Sequence, residues 1–230
     1  MLANHSRSKA AAAAFVLLAL TLAGCAGQLT PTRETEGQAP DQPSEAPAID
    51  LQEAESVTEM FTLMVPEGWS QEEVVPGAAF VMASSEAALD RYRATGGAEE
   101  GDLVVNVGFL PYRLLETNEL RALDFQVDAS PDVFLQSLMP MFLVDPGLTF
   151  SQADLVSLGN DREAGRMTVS AEGQEGIVLM FPAGDRVIAF VSAVTSPGGM
   201  AQFEDITYSI ASGVTFGGDS DALFGALLGG

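Results

Sequence analysis

Apolar and polar residues alternate along several stretches of this 230-residue chain, and the period switches between two and nearly four. Phe61, Leu63 and Val65 alternate with Thr62 and Met64 before Pro66-Glu67-Gly68, the pattern of a half-buried strand closed by a turn. Residues 79–83 form a second apolar run, and Leu103, Val105, Val107 and Phe109 share one face of a third strand. Between Arg166 and Ala171 the inward positions are Met167, Val169 and Ala171. Residues 177–181 and 187–194 are apolar on both faces, as strands in the middle of a sheet are. Turn residues at 172–176 and 182–185 join these three runs, and links this short imply antiparallel pairing. Residues 155–158 predict one more strand before them. Elsewhere the period is helical. Ser84 or Ser85 caps a segment reaching about Ala94. Ser130-Pro131 starts a helix through Met139, with Phe134, Leu135, Leu138 and Phe142 on its buried side and Pro140 ending or kinking it. Pro197 opens a last helix in which Met200, Phe203, Ile206, Ile210 and Val214 recur on one stripe. Residues 111–129 are ambiguous, with 114–123 a candidate helix. The sum predicts an α+β fold, a central antiparallel sheet flanked by helices in an α/β/α sandwich.

The run Phe61-Thr62-Leu63-Met64-Val65-Pro66-Glu67-Gly68-Trp69 resembles the opening of Mog1/PsbP-like domains, and Phe203 to Ile210 is similar to their final helix. The resemblance covers roughly residues 55–215. It implies the same sandwich and a structural role for Pro66, Gly68 and Trp69. It implies no particular reaction, because members of that group differ in function. The metal-binding histidines of PsbP proteins have no counterpart, since His5 is the only histidine in the chain.

The N-terminus has the three-part order of an export signal, with Arg7 and Lys9 before an uncharged run from Ala10 to Leu22. That run is 13 residues long, short of the ~20 needed to cross a bilayer core. The only cysteine, Cys25, follows Leu22, Ala23 and Gly24 at the point where cleavage would fall. The arrangement resembles a bacterial lipobox, which implies diacylglyceryl attachment at Cys25; the alternative is an ordinary secretory signal with a chance cysteine. Localisation is then at a membrane on its extracytoplasmic side. Ala26, rather than an acidic residue, stands after Cys25, which by resemblance to enterobacterial sorting favours an outer membrane where one exists. The organisation expected is a signal peptide at 1–24, a lipidated cysteine and disordered tether at 25–53, the domain at 54–216, and a Gly-rich flexible tail at 217–230. The tether contains Pro31, Pro40, Pro43 and Pro47 and too little apolar surface to offset its ordering cost. About 25 residues of such chain span roughly 25–30 Å. In the tail, Asp221–Leu228 is an apolar island, read either as a frayed end or as a docking segment.

Composition narrows the chemistry. Removal of residues 1–24 takes away Arg7, the sole lysine Lys9 and His5, and moves the net charge from −22 to −24. With Cys25 acylated, the mature domain has no thiol, imidazole or lysine. Ser-His-Asp and Cys-His catalysis, Schiff-base chemistry, a P-loop, and zinc, copper or haem sites built on His or Cys are thereby excluded. The expectation is no cofactor and no metal. Strong negative charge argues against nucleic acid as a partner. Carboxylates remain as the only acid–base candidates, in Glu99-Glu100 with Asp102, Glu72-Glu73, and Asp219 with Asp221. Each lies beside turn residues, which fits a solvated loop better than a catalytic pair. None has EF-hand spacing. Trp69 is either a stacking platform or a packing residue at the sheet edge. Arg91 and Arg93, flanking Tyr92, fit ion pairs on a helix or a carboxylate ligand. The methionines are scattered over apolar positions and read as core filler. The function expected is a non-enzymatic accessory or protein-binding lipoprotein, anchored in the bilayer and engaging an envelope protein. The alternatives are a small-molecule or lipid-binding module and a carboxylate-dependent envelope hydrolase.

Overall fold

The computed structural model describes residues 50–115, 129–142 (139–142 as backbone only), 147–159 and 161–227. The alternating run at the head of the domain becomes strand β2 (Phe61–Pro66), which lies between β1 (Leu51–Glu55) and β11 (Thr215–Phe216) in a small antiparallel sheet. The remaining strands are β3 (Ser70–Val75), β4 (Ala79–Ala83), β5 (Leu103–Pro111), β6 (Thr149–Phe150), β7 (Asp154–Gly159), β8 (Arg162–Ala171), β9 (Gln174–Gly184) and β10 (Val187–Thr195). They form one sheet in the order β3-β4-β5-β10-β9-β8-β6, with β7 also paired to β8, and every pairing is antiparallel. The meander β8-β9-β10 is the one that its short turns demand. The helices are α1 (Glu86–Thr95), α2 (Tyr112–Leu115), α3 (Pro131–Phe142), α4 (Met200–Gly213) and α5 (Ser220–Leu227).

The large sheet is covered on both faces, so its central strands must be apolar on both. On one face Leu103, Val105, Val107, Phe109, Leu179, Phe181 and Val191 pack beneath β2, α4 and α5, through Phe61, Leu63, Val65, Ile206, Ile210 and Leu223. On the other, Met167, Val169, Val178, Met180 and Phe190 meet Phe134, Leu135 and Leu138 of α3. Beside them Val81, Ala83 and Val104 meet Ala88, Leu89 and Tyr92 of α1. Antiparallel sheets flanked by helices are thus the architecture. The opening strand, however, sits in a second small sheet rather than in the central one.

Local chemistry explains the helix ends. The Ser85 hydroxyl accepts from the Ala88 amide at 3.0 Å, and Gly96 closes α1 at a left-handed φ of 69°. The Arg162 guanidinium donates to the carbonyls of Ala211, Ser212 and Val214, collecting acceptors left over at the end of α4. Val214 is therefore a cap with extended backbone, not the last helical residue.

Three expectations need correction. Residues 51–53, assigned to the tether, pair with β2 as part of β1; an isolated five-residue strand of mixed polarity has no marker until its partner is known. The tail is not wholly flexible, because Ser220–Leu227 is helical and buries Leu223 and Leu227. Asp219 starts that helix, its Oδ1 accepting from the amides of Asp221 and Ala222 at 2.7 and 3.0 Å. Lastly, α3 continues past Pro140 to Phe142. Proline there forfeits one backbone hydrogen bond in the final turn, where little helix remains to disrupt. The candidate helix at 114–123 is described only to Leu115.

Candidate functional site

Cys25 and the lipobox residues Leu22, Ala23 and Gly24 lie outside the described residues, as does most of the tether. The remaining motif residues make a corner. Pro66 ends β2 opposite Leu51, and the Glu67 amide donates to the Asp50 carbonyl at 2.8 Å. Gly68 takes a φ of 81°, which favours glycine, and lets the Trp69 amide return to the Pro66 carbonyl at 3.2 Å. The Trp69 ring is half-buried against the core under the small sheet. These residues turn the chain from the small sheet into the large one, and Trp69 covers the joint.

The carboxylate clusters are engaged in holding the fold. Asp102 is buried and accepts two guanidinium nitrogens of Arg91, at 2.7 and 3.0 Å, and also the Glu99 amide at 3.0 Å. Glu99 lies 3.5 Å from the same guanidinium. The Asp102 hydrogen bond, the largest cause, together with the charges of Asp102 and Glu99, raises the Arg91 pKa. Arg93 bridges Glu72 and Asp90, so α1 is tied to β3 as well as to β5, and its pKa is raised chiefly by the Glu72 hydrogen bond. Glu73 accepts the amides of Val57 and Gly77. Asp221 pairs with Arg113 at 2.8 Å, and the same guanidinium sits 4.7 Å from the Phe224 ring. Glu100 stands exposed in a turn. Among the described residues no three of His, Cys, Asp and Glu converge on a metal-sized site. No described helix is long and apolar enough to cross a membrane.

One cluster gave no signal as a unit in the sequence. Glu204 on α4 accepts from the Tyr208 hydroxyl and forms an ion pair with Arg166 of β8, each at 2.8 Å. The spacing of Glu204 and Tyr208 is the four-residue helical repeat, but Arg166 arrives through tertiary packing. Burial is the main cause that pushes the Tyr208 phenol up to about 12, with the Glu204 hydrogen bond next. Because the folded value is raised, the stability this phenol contributes is complete below its unfolded value near 10. It is lost as pH climbs from there through about 12. An absorbance titration of phenolate should therefore show one tyrosine ionising close to 12, and Tyr208→Phe should remove that late step.

A shallow groove with room for about 20 Å³ opens over β8, β9 and β10, lined by Val169, Ala171, Val178, Ser192 and Val194 among others. Among the described residues the Ser192 hydroxyl has no hydrogen-bond partner, and the residue is 3 % exposed. The other polar side chains at the rim are committed elsewhere. Gln174 bridges backbone atoms of Ala98 and Gly173, and Glu175 accepts the Met200 amide at 2.5 Å. The groove thus lacks the convergent polar set of a ligand pocket, and a single hydrogen-bonded water suits Ser192.

No protein-family model matches the chain, and no curated protein matches it. Among solved structures it is similar to cyanobacterial PsbP from Synechocystis, at 10% identity and a TM-score of 0.44, over 76% of this chain and 98% of that one. It is also similar to the Ran-binding protein Mog1p of Saccharomyces cerevisiae, at 13% identity and a TM-score of 0.38, over 72% and 89%. A third likeness is to LpqN of Mycobacterium tuberculosis, described as involved in cell envelope biogenesis, at 14% identity and a TM-score of 0.40, over 73% and 91%. These are likenesses of chain path alone.

Proposed function

We propose that the protein is a lipid-anchored, extracytoplasmic accessory module that presents an acidic α+β domain to a protein partner. One observation supports the non-enzymatic reading above others: of the acidic residues in the candidate clusters, all but the exposed Glu100 serve as caps, amide acceptors or arginine partners. A general acid needs a proton within reach of substrate, and carboxylates engaged by arginines and backbone amides are poorly placed to supply one. The anchor follows from the only thiol in the chain standing after Leu22-Ala23-Gly24. Two acyl chains at about 0.8 kcal/mol per buried CH₂ make such an anchor stable. The tether then enters the domain at β1, on the edge of the small sheet.

The decisive experiment is mass spectrometry of the protein extracted from membranes. The expected product begins at Cys25 and carries the added mass of a diacylglyceryl group, with or without a third acyl chain. A membrane-free product with an unmodified thiol would overturn the anchor. Covalent crosslinking in intact membranes that yields no reproducible protein partner would overturn the accessory role.

A further inference from the structure

We infer that the outer edge of β7 is the docking strand for an extended segment of a partner protein with an apolar centre and basic ends. This rests on the accessory reading above and names where it acts. On one side β8 pairs with β9, and on the other with β6 and β7, and no described strand pairs with the far side of β7. In an antiparallel ladder alternate residues turn their N–H and C=O groups away from the partner strand. Among the described residues those of β7, apart from the Gly159 amide that donates to the Ser157 hydroxyl, are open to an added strand, the chemistry of strand addition at a sheet edge.

The two edges of the large sheet differ. At β3 the edge is blunted in the usual ways: it carries Glu72 and Glu73, has an irregular register between Glu73 and Val75, and is strapped by Arg93. At β7 an apolar side chain stands open instead. Leu155 is 44 % exposed and lies opposite Gly165 of β8. A side chain at Gly165 would meet the Pro131 carbonyl at 2.4 Å. That close approach seats the first turn of α3 on the same side of the sheet as Leu155. Val133, in that turn, is 52 % exposed.

Charge selects the occupant. Asp154 at one end of β7, and Asp161 and Glu163 at the other, are exposed. The nearby cations are engaged: Arg162 donates to the α4 carbonyls, and Arg166, which lies opposite Asp154 in the ladder, pairs with Glu204. An apolar middle bracketed by carboxylates complements a segment with β-branched residues in the centre and lysine or arginine at its ends. A second copy of the chain, at a net charge of −22, meets repulsion at the same place.

The probe is a blocked peptide, Lys-Lys-Val-Thr-Val-Thr-Lys-Lys, added to the full-length protein in detergent, with amide hydrogen exchange read by mass spectrometry. Saturable protection confined to residues 154–159 is expected. It should weaken at least about tenfold between low and high salt, since the contacts at the ends are exposed charges. Leu155→Asp and the pair Asp154→Lys with Glu163→Lys should each abolish it, the second leaving the apolar centre intact should the first disturb folding. A peptide with proline for both valines should not bind. Protection at β1 or β3 instead, no saturable protection, or protection unchanged in both variants would overturn the assignment. A partner crosslinked in membranes that survives both variants would keep the accessory reading while removing β7 from it.

Discussion

Replacing Phe109 by alanine is expected to lower folding stability by about 3–5 kcal/mol. The residue is fully buried on β5. Its ring centroid lies 4.7 Å from that of Phe61 and 5.3 Å from that of Phe216. Those two rings come from β2 and β11, so one side chain joins the small sheet to the large one. Each aromatic pairing adds roughly 0.5–1.5 kcal/mol beyond area burial, and alanine loses both. Neighbouring backbone cannot collapse into the space, because Phe109 sits in a strand paired on both sides and its amide is bonded to the Ala78 carbonyl at 2.9 Å. A domain of this size has a total stability of about 5–15 kcal/mol, so the variant should be marginal. Urea unfolding checks this: the midpoint should fall sharply with little change in slope. Phe109→Leu, which keeps most of the volume, should lose far less. Near-equal losses for both variants would show that the aromatic joint contributes little.

How much of this was legible beforehand depends on where each element's instructions lie. Strands β9 and β10 announce themselves because burial on both faces requires apolar runs, and β5 through the alternation of Leu103, Val105, Val107 and Phe109. The start of α1 is local chemistry, a serine reaching an amide three residues on. By contrast β3 reads Ser-Gln-Glu-Glu-Val-Val, polar because it is an edge strand, and edge strands carry little hydrophobic periodicity. The short strands β1, β6 and β11 exist only through their partners. The tail helix was visible as an apolar island, but its docking depends on the open core between α2 and β5, a tertiary fact. For the site, the acidic clusters were expected in solvated loops, but Glu72 and Glu73 lie in β3, Asp221 in α5, and Asp102 is buried. Their individual partners were not legible either, since Arg91 and Asp102, or Arg113 and Asp221, meet only when distant segments are assembled. The exposed edge at Leu155 lay inside a run already expected to be a strand. That it is an edge follows from sheet order, which no local pattern encodes.

Sheet order also explains why Gly165→Val should be costlier than its position in a strand suggests. A Cβ at Gly165 would lie 2.4 Å from the Pro131 carbonyl oxygen, 2.6 Å from its carbon and 2.8 Å from the Asp132 amide nitrogen. All three are backbone atoms, so no rotamer change relieves the clash. Either α3 lifts from the sheet or β8 deforms, and both separate Phe134, Leu135 and Leu138 from Met167 and Met180. Overpacking of this kind costs typically 1–3 kcal/mol and more where backbone must move, so a loss of at least about 3 kcal/mol is expected. Gly217→Ala is the matched control: nothing lies within 4 Å of its Cβ and its φ is ordinary, so it should be neutral or slightly stabilising. The denaturant midpoints of the two variants make the comparison. Gly165→Val has a second consequence, because Gly165 lies opposite Leu155 and the first turn of α3 is seated against it on that side of the sheet. Under conditions where the variant remains folded, it should lose the basic-ended peptide along with its stability. Retention of peptide binding by a destabilised Gly165→Val would mean that α3 contributes nothing to the docking edge, and that Leu155 and the strand backbone suffice.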